Sequence, residues 1–265
     1  DIRQLYEFGK AGDLDPALSF WAEEYRLNVR IKSFPKPYVA LIDGIVMGGG
    51  VGVSEHGSHR VAGDRFLFAM PEVGIGFFPD VGATYFLPRL PGRVGTWLAL
   101  TGERVRGADA VSLGLADAHV ASERMDDLLA ALAAGEAPDA AIGRLASKTT
   151  PTIAAADRAT IDACFDGASV ADILLALDRA AADGSAFAAK AAAQMRTKSP
   201  TSLAIALRQM QIGAGLDFAE AMRTEYRIVS RLARGVDFYE GVRALIVDKD
   251  NAPAWSPADV AAVTA

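Results

Sequence analysis

Cysteine is almost missing from this sequence: Cys164 stands alone among 265 residues. A single thiol excludes an internal disulfide framework and a cysteine-ligated metal cluster. Its apolar, helical setting reads as packing rather than as a nucleophile. Histidine is scarce too, limited to His56, His59 and His119. His56 and His59 are spaced to share a helix face, but no carboxylate stands at H-E-x-x-H spacing, so no metal site is expected. Long apolar runs are lacking as well. A membrane-spanning helix needs about 20 apolar residues, and the longest stretches, at 38–42 and 204–207, have the size of one strand or one helix face. Nor is there an excess of positive charge: the formal net charge is −6 and the basic residues are scattered. Such a chain repels nucleic acid and other polyanions, yet a local basic patch can still hold a small anionic ligand. No signal peptide is visible, and the sequence begins at Asp1 rather than Met, so a preceding segment is expected.

What is present divides into two textures. Half of the chain is hydrophobic and a quarter is charged, a globular balance in a length able to bury a large core. In residues 1–122 short β-rich runs alternate with glycine turns and helices, as in an α/β core. Residues 123–265 are Ala-rich and read as a helical C-terminal region. Asp15-Pro16 opens a helix in which Leu18, Trp21 and Tyr25 recur at helical spacing. Pro35 and Pro37 break the chain ahead of a buried strand over 38–42. Gly48-Gly49-Gly50 leads into a helix expected to reach about His59. Short strands follow around 60–62 and 66–68, then a glycine-rich connection over 74–82, helices over 93–100 and 107–113, and a closing strand over 118–120.

In the second region Ser169 with Asp172, Asp217 with Glu220, and Asp237 with Glu240 have the spacing of helix-capping pairs. Ser199-Pro200 sets a cap before a first-turn proline. Phe218, Met222, Tyr226 and Val229 form an apolar stripe read as packing, with Gly235 placed to end that helix.

The chemistry concentrates in residues 36–114. A buried strand that runs into three glycines and then a helix aims backbone N–H groups at the positive end of that helix. Without Cβ atoms the chain can approach a ligand closely there. That corner suits a phosphate or a carbonyl oxygen gaining negative charge in acyl transfer; a tight turn with no ligand is the plain alternative. Neither G-x-G-x-x-G nor G-K-[ST] is present, which removes the dinucleotide and P-loop readings. Some twenty residues on, Glu72 and Asp80 lie among Met70, Val73, Ile75, Phe77, Phe78, Pro79 and Val81. A carboxylate in apolar surroundings is costly unless it has a partner or a use, and desolvation raises its pKa. A salt bridge or a helix cap is the structural alternative for each.

Taken together, these residues resemble the crotonase (enoyl-CoA hydratase/isomerase) superfamily over essentially the whole chain. The likeness rests on Ala40-Leu41-Ile42-Asp43-Gly44, Met47-Gly48-Gly49-Gly50, Pro71-Glu72, Leu100-Thr101-Gly102 and Gly114-Leu115-Ala116. It narrows to the branch that hydrolyses short branched 3-hydroxyacyl-CoA thioesters of the 3-hydroxyisobutyryl type, through three features. Gly52 stands where hydratases carry a catalytic glutamate, 78–82 reads Phe-Pro-Asp-Val-Gly, and the tail matches at 199–203, 237–244, 248–250 and Pro253.

The fold this implies is a crotonase spiral of β-β-α units with a helical C-terminal region, its first strands lying upstream of Asp1. In that likeness Gly49 N–H is one of two donors to the thioester oxygen, flanked by Gly48, Gly50 and Gly52, and the second donor is the residue just before Asp1. Glu72 is the nucleophile or the general base for water. Asp80 reaches the 3-hydroxyl or assists the leaving group, Phe77 and Phe78 line the acyl pocket, and Arg3 lies near CoA phosphates. No metal or redox cofactor is called for, because CoA arrives with the substrate. The resemblance also implies a homo-oligomer of open order. Composition and the missing targeting signal lead to a bacterial cytoplasmic enzyme as the expectation, with a lost mitochondrial targeting segment as the alternative. Two other readings stay open: an enoyl-CoA hydratase or isomerase, and a crotonase-fold binding protein without turnover.

Overall fold

In the computed structural model, which describes residues 1–263, the chain opens with α1 (Ile2–Lys10) and α2 (Asp15–Lys32). Pro16 suits the first turn of α2, and Ala17, Trp21, Tyr25, Asn28 and Ile31 give that helix one buried face. There follow β1 (Val39–Ile42), β2 (Ile45–Val46), α3 (Gly49–Ser54), β3 (His59–Ala62) and β4 (Leu67–Phe68), then a 3-10 turn over Glu72–Ile75 and α4 (Ala83–Phe86). β1 pairs in parallel with β3, Val39 opposite His59, and β2 in parallel with β4, Ile45 opposite Leu67. Each β-β-α turn is thereby stacked on the previous one, so the chain spirals. After α5 (Val94–Thr101), β5 (Val105–Arg106) adds antiparallel to β4; after α6 (Gly107–Ala110), β6 (Ala118–His119) adds parallel to β3. Asp43, in the corner between β1 and β2, accepts from Arg65 N and from Ser122 Oγ and so ties successive passes together.

The rest is helical: α7 (Met125–Ala133), α8 (Pro138–Leu145), α9 (Ala155–Cys164), α10 (Val170–Ala182), α11 (Ala186–Arg196), α12 (Pro200–Gly213), α13 (Phe218–Leu232) and α14 (Asp237–Val242). α13 packs on α2, α12 on α4 and α5, and α14 on α1 and the Glu72–Ile75 turn. One apolar cluster therefore takes side chains from either side of residue 122, among them Trp21, Phe68, Phe78, Leu98, Leu203 and Phe238. A smaller one, with Val61, Val120, Leu128, Ile142 and Leu145, seats α7 and α8 beside β3.

Several local expectations change. α3 stops at Ser54, because the chain must turn back to β1: Ser58 N and His59 N both bond Tyr38 O. A Cβ at Gly57 would lie 2.7 Å from that carbonyl, so only glycine passes there. His59 consequently belongs to β3 and shares no helix face with His56. Among the described residues no group of three or more His, Cys, Asp or Glu is arranged to hold a metal. The helix expected over 107–113 ends at Ala110, and the chain then turns through Gly114 at φ +81. Ser169–Asp172 forms a reciprocal capping box, and Asp217 and Ser199 cap as expected. Asp237 does not cap: its carboxylate accepts from Ser199 Oγ at 2.5 Å and Ser256 N at 2.8 Å, partners only the tertiary fold supplies. On α13, Tyr226 is 36% exposed, whereas Glu225 is wholly buried in the stripe. Ala233, before Gly235, closes that helix.

Candidate active site

Because β2 and β4 run parallel with Val46 beside Phe68, the segments that leave their C-terminal ends emerge at the same edge. Residues 47–50 leave from β2 and residues 69–72 from β4. Gly48, at φ 52 and ψ −130, takes a backbone conformation open to glycine and caps α3. Gly50 N and Val51 N then bond Met47 O and Gly48 O, while Gly49 N–H donates to nothing among the described residues. A free first-turn donor is what a developing oxyanion requires.

Glu72 opens the 3-10 turn beyond β4 and is 6% exposed. No Lys, Arg or His among the described residues pairs with it, and its Oε2 has no hydrogen-bond partner. Burial pushes its carboxyl up to about 8. Asp80, equally buried, accepts one hydrogen bond at 2.9 Å from the Tyr25 hydroxyl. Burial first, and then the neighbouring charges of Glu72, Glu225 and Glu24, hold Asp80 well above the usual carboxylate range. Tyr25 is raised as well, by burial and then by Asp80. Glu72 and Asp80 are thus both buried, and near enough for the charge of the one to raise the other.

α2 supplies further groups to this region. Asn28 follows Glu24 by four residues and Tyr25 by three, so its side chain neighbours both on the surface of α2. A Cβ on Gly49 would sit 3.0 Å from Glu24 Oε1, which puts that carboxylate at the glycine corner; burial raises the Glu24 carboxyl. Asn28 donates to Gly52 O at 3.0 Å. A Cβ at Gly52 would meet Asn28 Nδ2 at 2.7 Å and Val81 Cβ at 3.0 Å, so this position is backfilled and has no room for a side chain. The sole sequence hint was a pair of polar residues bordering the Trp21–Tyr25 stripe.

Phe77 and Phe78 are buried in an aromatic group in which Phe77 stacks on Trp21 at 5.6 Å and also meets Phe238 at 5.4 Å. They form the apolar wall beneath the Asp80 turn. Arg3 is exposed on α1 and donates to Ile246 O at 3.2 Å. His56 is kept neutral by burial, its value lowered to about 4, and its Nε2 lies 2.6 Å from Val81 O.

A spiral of β-β-α turns with buried carboxylates beside a glycine corner is an architecture this chain shares with a known enzyme family. The chain belongs to the enoyl-CoA hydratase/isomerase family, whose model matches residues 1–265. It is 44% identical to the mitochondrial 3-hydroxyisobutyryl-CoA hydrolase of Danio rerio, covering 100% of this chain and 71% of that protein. It is also 44% identical to the Homo sapiens protein of the same name, covering 100% of this chain and 70% of that protein. Among solved structures, a carnitinyl-CoA dehydratase from Mycobacterium thermoresistibile superposes with a TM-score of 0.92 at 44% identity, covering 100% of this chain and 75% of its own. An enoyl-CoA hydratase from Rhodobacter sphaeroides gives 0.88 at 40% identity, covering 100% and 76%. The expected bacterial cytoplasmic location is overturned by these findings: the curated relatives are named as mitochondrial proteins.

Proposed function

We propose that this chain hydrolyses 3-hydroxyisobutyryl-CoA or a closely similar short branched 3-hydroxyacyl-CoA to the free acid and CoA. The observation that carries the reading is Glu72, buried without a cation and with Asp80 near it, on the segment that leaves β4 at the edge where Gly49 N–H is free. The names of the curated relatives support the same substrate.

In this reading the thioester carbonyl oxygen accepts from Gly49 N–H. Ionised Glu72 attacks the carbonyl carbon through one carboxylate oxygen, and the negative charge moves onto the carbonyl oxygen. Collapse of that adduct breaks the C–S bond and releases CoA thiolate, which takes up a proton. Water then opens the acyl–Glu72 anhydride, giving the hydroxy acid and restoring the carboxylate. A carboxylate with little solvation to shed is well prepared for this attack. Asp80, whose carboxyl burial holds well above the usual carboxylate range, donates in its protonated form to the 3-hydroxyl or to the departing sulfur, and Tyr25 fixes its orientation. Glu24 at the glycine corner borders the acyl group. Carboxyl groups and N–H donors supply every step.

A hydratase reading draws on the names of the two superposed proteins. Addition of water across a conjugated double bond wants two flanking carboxylates, and the backfilled Gly52 offers none at the hydratase position. Incubation with 3-hydroxyisobutyryl-CoA and a thiol reagent separates the readings. Release of free CoA is expected; loss of enoyl absorbance from an enoyl-CoA without CoA release would replace this reading by the hydratase.

A further inference from the structure

The turn that carries Asp80 is unusual in its backbone. Val81 has φ +48 and Gly82 φ +95. A β-branched residue in the left-handed region is strained and persists there only when its surroundings over-determine it. Those surroundings come largely from the helical region. Glu225, on α13 and 0% exposed, accepts from Gly82 N at 2.9 Å through Oε2 and from Thr84 N at 2.9 Å through Oε1. Gln209, on α12, donates from Nε2 to Pro79 O at 2.8 Å and to Thr84 Oγ1 at 2.7 Å. From the other side His56 meets Val81 O.

Glu225 is the one charged member of this clamp, and no salt bridge to it exists among the described residues. An unpaired buried carboxylate is an expensive way to hold two N–H groups if stability were its only purpose. Its bidentate grip spans the residues on either side of Ala83, whose own N–H bonds Asp80 O at 2.9 Å. The grip therefore fixes the direction in which Asp80 leaves the turn to meet Tyr25 OH.

We propose that Glu225 is a positioning residue for the thioester reaction: from α13 it locks the strained 80–84 turn and so aims the Asp80 carboxyl at the acyl group. The inference rests on the hydrolase reading in one respect, that Asp80 is a reacting group. It makes the C-terminal helices part of the catalytic apparatus.

The test is Glu225→Gln. An amide oxygen accepts from one N–H but turns an NH2 donor against the other, so the clamp is half broken with the volume unchanged. The expected result is a fall in kcat of about 10–100-fold with KM within about twofold, as when orientation alone is lost. A crystal structure of the variant should show Val81 out of the left-handed region and the Tyr25–Asp80 bond broken. A purely structural Glu225 would lower thermal stability and leave kcat of the folded enzyme within about twofold; that result overturns the proposal. If the parent enzyme releases no CoA, the hydrolase reading falls. The variant's structure then decides the inference by itself, and an unmoved turn refutes it. If Glu225→Gln does not fold, Gln209→Met, which releases Pro79 O and Thr84 Oγ1 of the same turn, is judged by the same split and the same structure.

Discussion

The buried acids of this fold are held in two different ways, with and without an arginine. Glu55, just beyond α3, is buried and paired with Arg60, which also holds Asp117 through Nη2 at 2.7 Å and Nε at 3.2 Å and reaches Gly114 O. Burial lifts Glu55 to about 7, and Arg60 works against that rise. Glu72 has no such partner and stands at about 8. Asp80 and Glu225 are also pushed up by burial, with N–H or O–H donors in place of a cation. A buried acid tied to an arginine closes a fold. An acid buried without one costs stability and retains a reactive oxygen.

Exchanging one acid from each group breaks this comparison most sharply. Glu72→Gln should lower CoA release by about 10³-fold, while Glu55→Gln stays within about threefold, both read by steady-state thioester hydrolysis. Stability should move the other way. Because the folded Glu72 carboxyl titrates at about 8 against an ordinary 4.5, the folded state holds a proton that the unfolded chain gives up between those values. Parent stability therefore falls as pH rises through that window. Glu72→Gln, indifferent to it, should gain on the parent by a few kcal/mol near pH 8 and not at all below about pH 4.5, by urea denaturation at each pH. Because Arg60 limits the Glu55 carboxyl to a smaller rise, to about 7, the same linkage gives Glu55→Gln a smaller gain that stops growing at about pH 7.

A smaller effect sharpens the roles within the cation-free group. Asp80→Asn keeps the shape but gives the Tyr25 hydroxyl a poorer acceptor and removes the proton that Asp80 delivers. The expected loss in kcat/KM is about 10²-fold on 3-hydroxyacyl-CoA and about tenfold less on the plain acyl-CoA. Equal losses on both substrates would remove Asp80 from recognition of the hydroxyl.

The glycine corner, Glu72 and the 78–82 turn were legible in the sequence because each announces itself locally: glycines where the backbone must reverse, carboxylates where apolar residues surround them. The α/β texture was legible for the same reason, in strands and turns that alternate along the first 122 residues, while the spiral itself followed from the family resemblance. α2 was read only in part. Tyr25 fell on an apolar stripe and looked like packing, and Glu24 and Asn28 gained meaning only when α2 came to lie against α3. Glu225 was hidden in the same way within the stripe of α13. Asp237 misled in the opposite direction, since its spacing to Glu240 imitates a cap while its actual partner, Ser199, lies 38 residues away. Side chains whose partners are distant in sequence carry no local signature.

The central claim is that Glu72 bonds covalently to the acyl carbon. Rapid quenching of the enzyme with excess 3-hydroxyisobutyryl-CoA into borohydride, followed by peptide mass spectrometry, tests it directly. The account predicts that the Glu72 carboxyl is recovered as the alcohol, only when substrate was present and not in the Asp80 peptide. An unmodified Glu72 in enzyme quenched while CoA is still being released would contradict it.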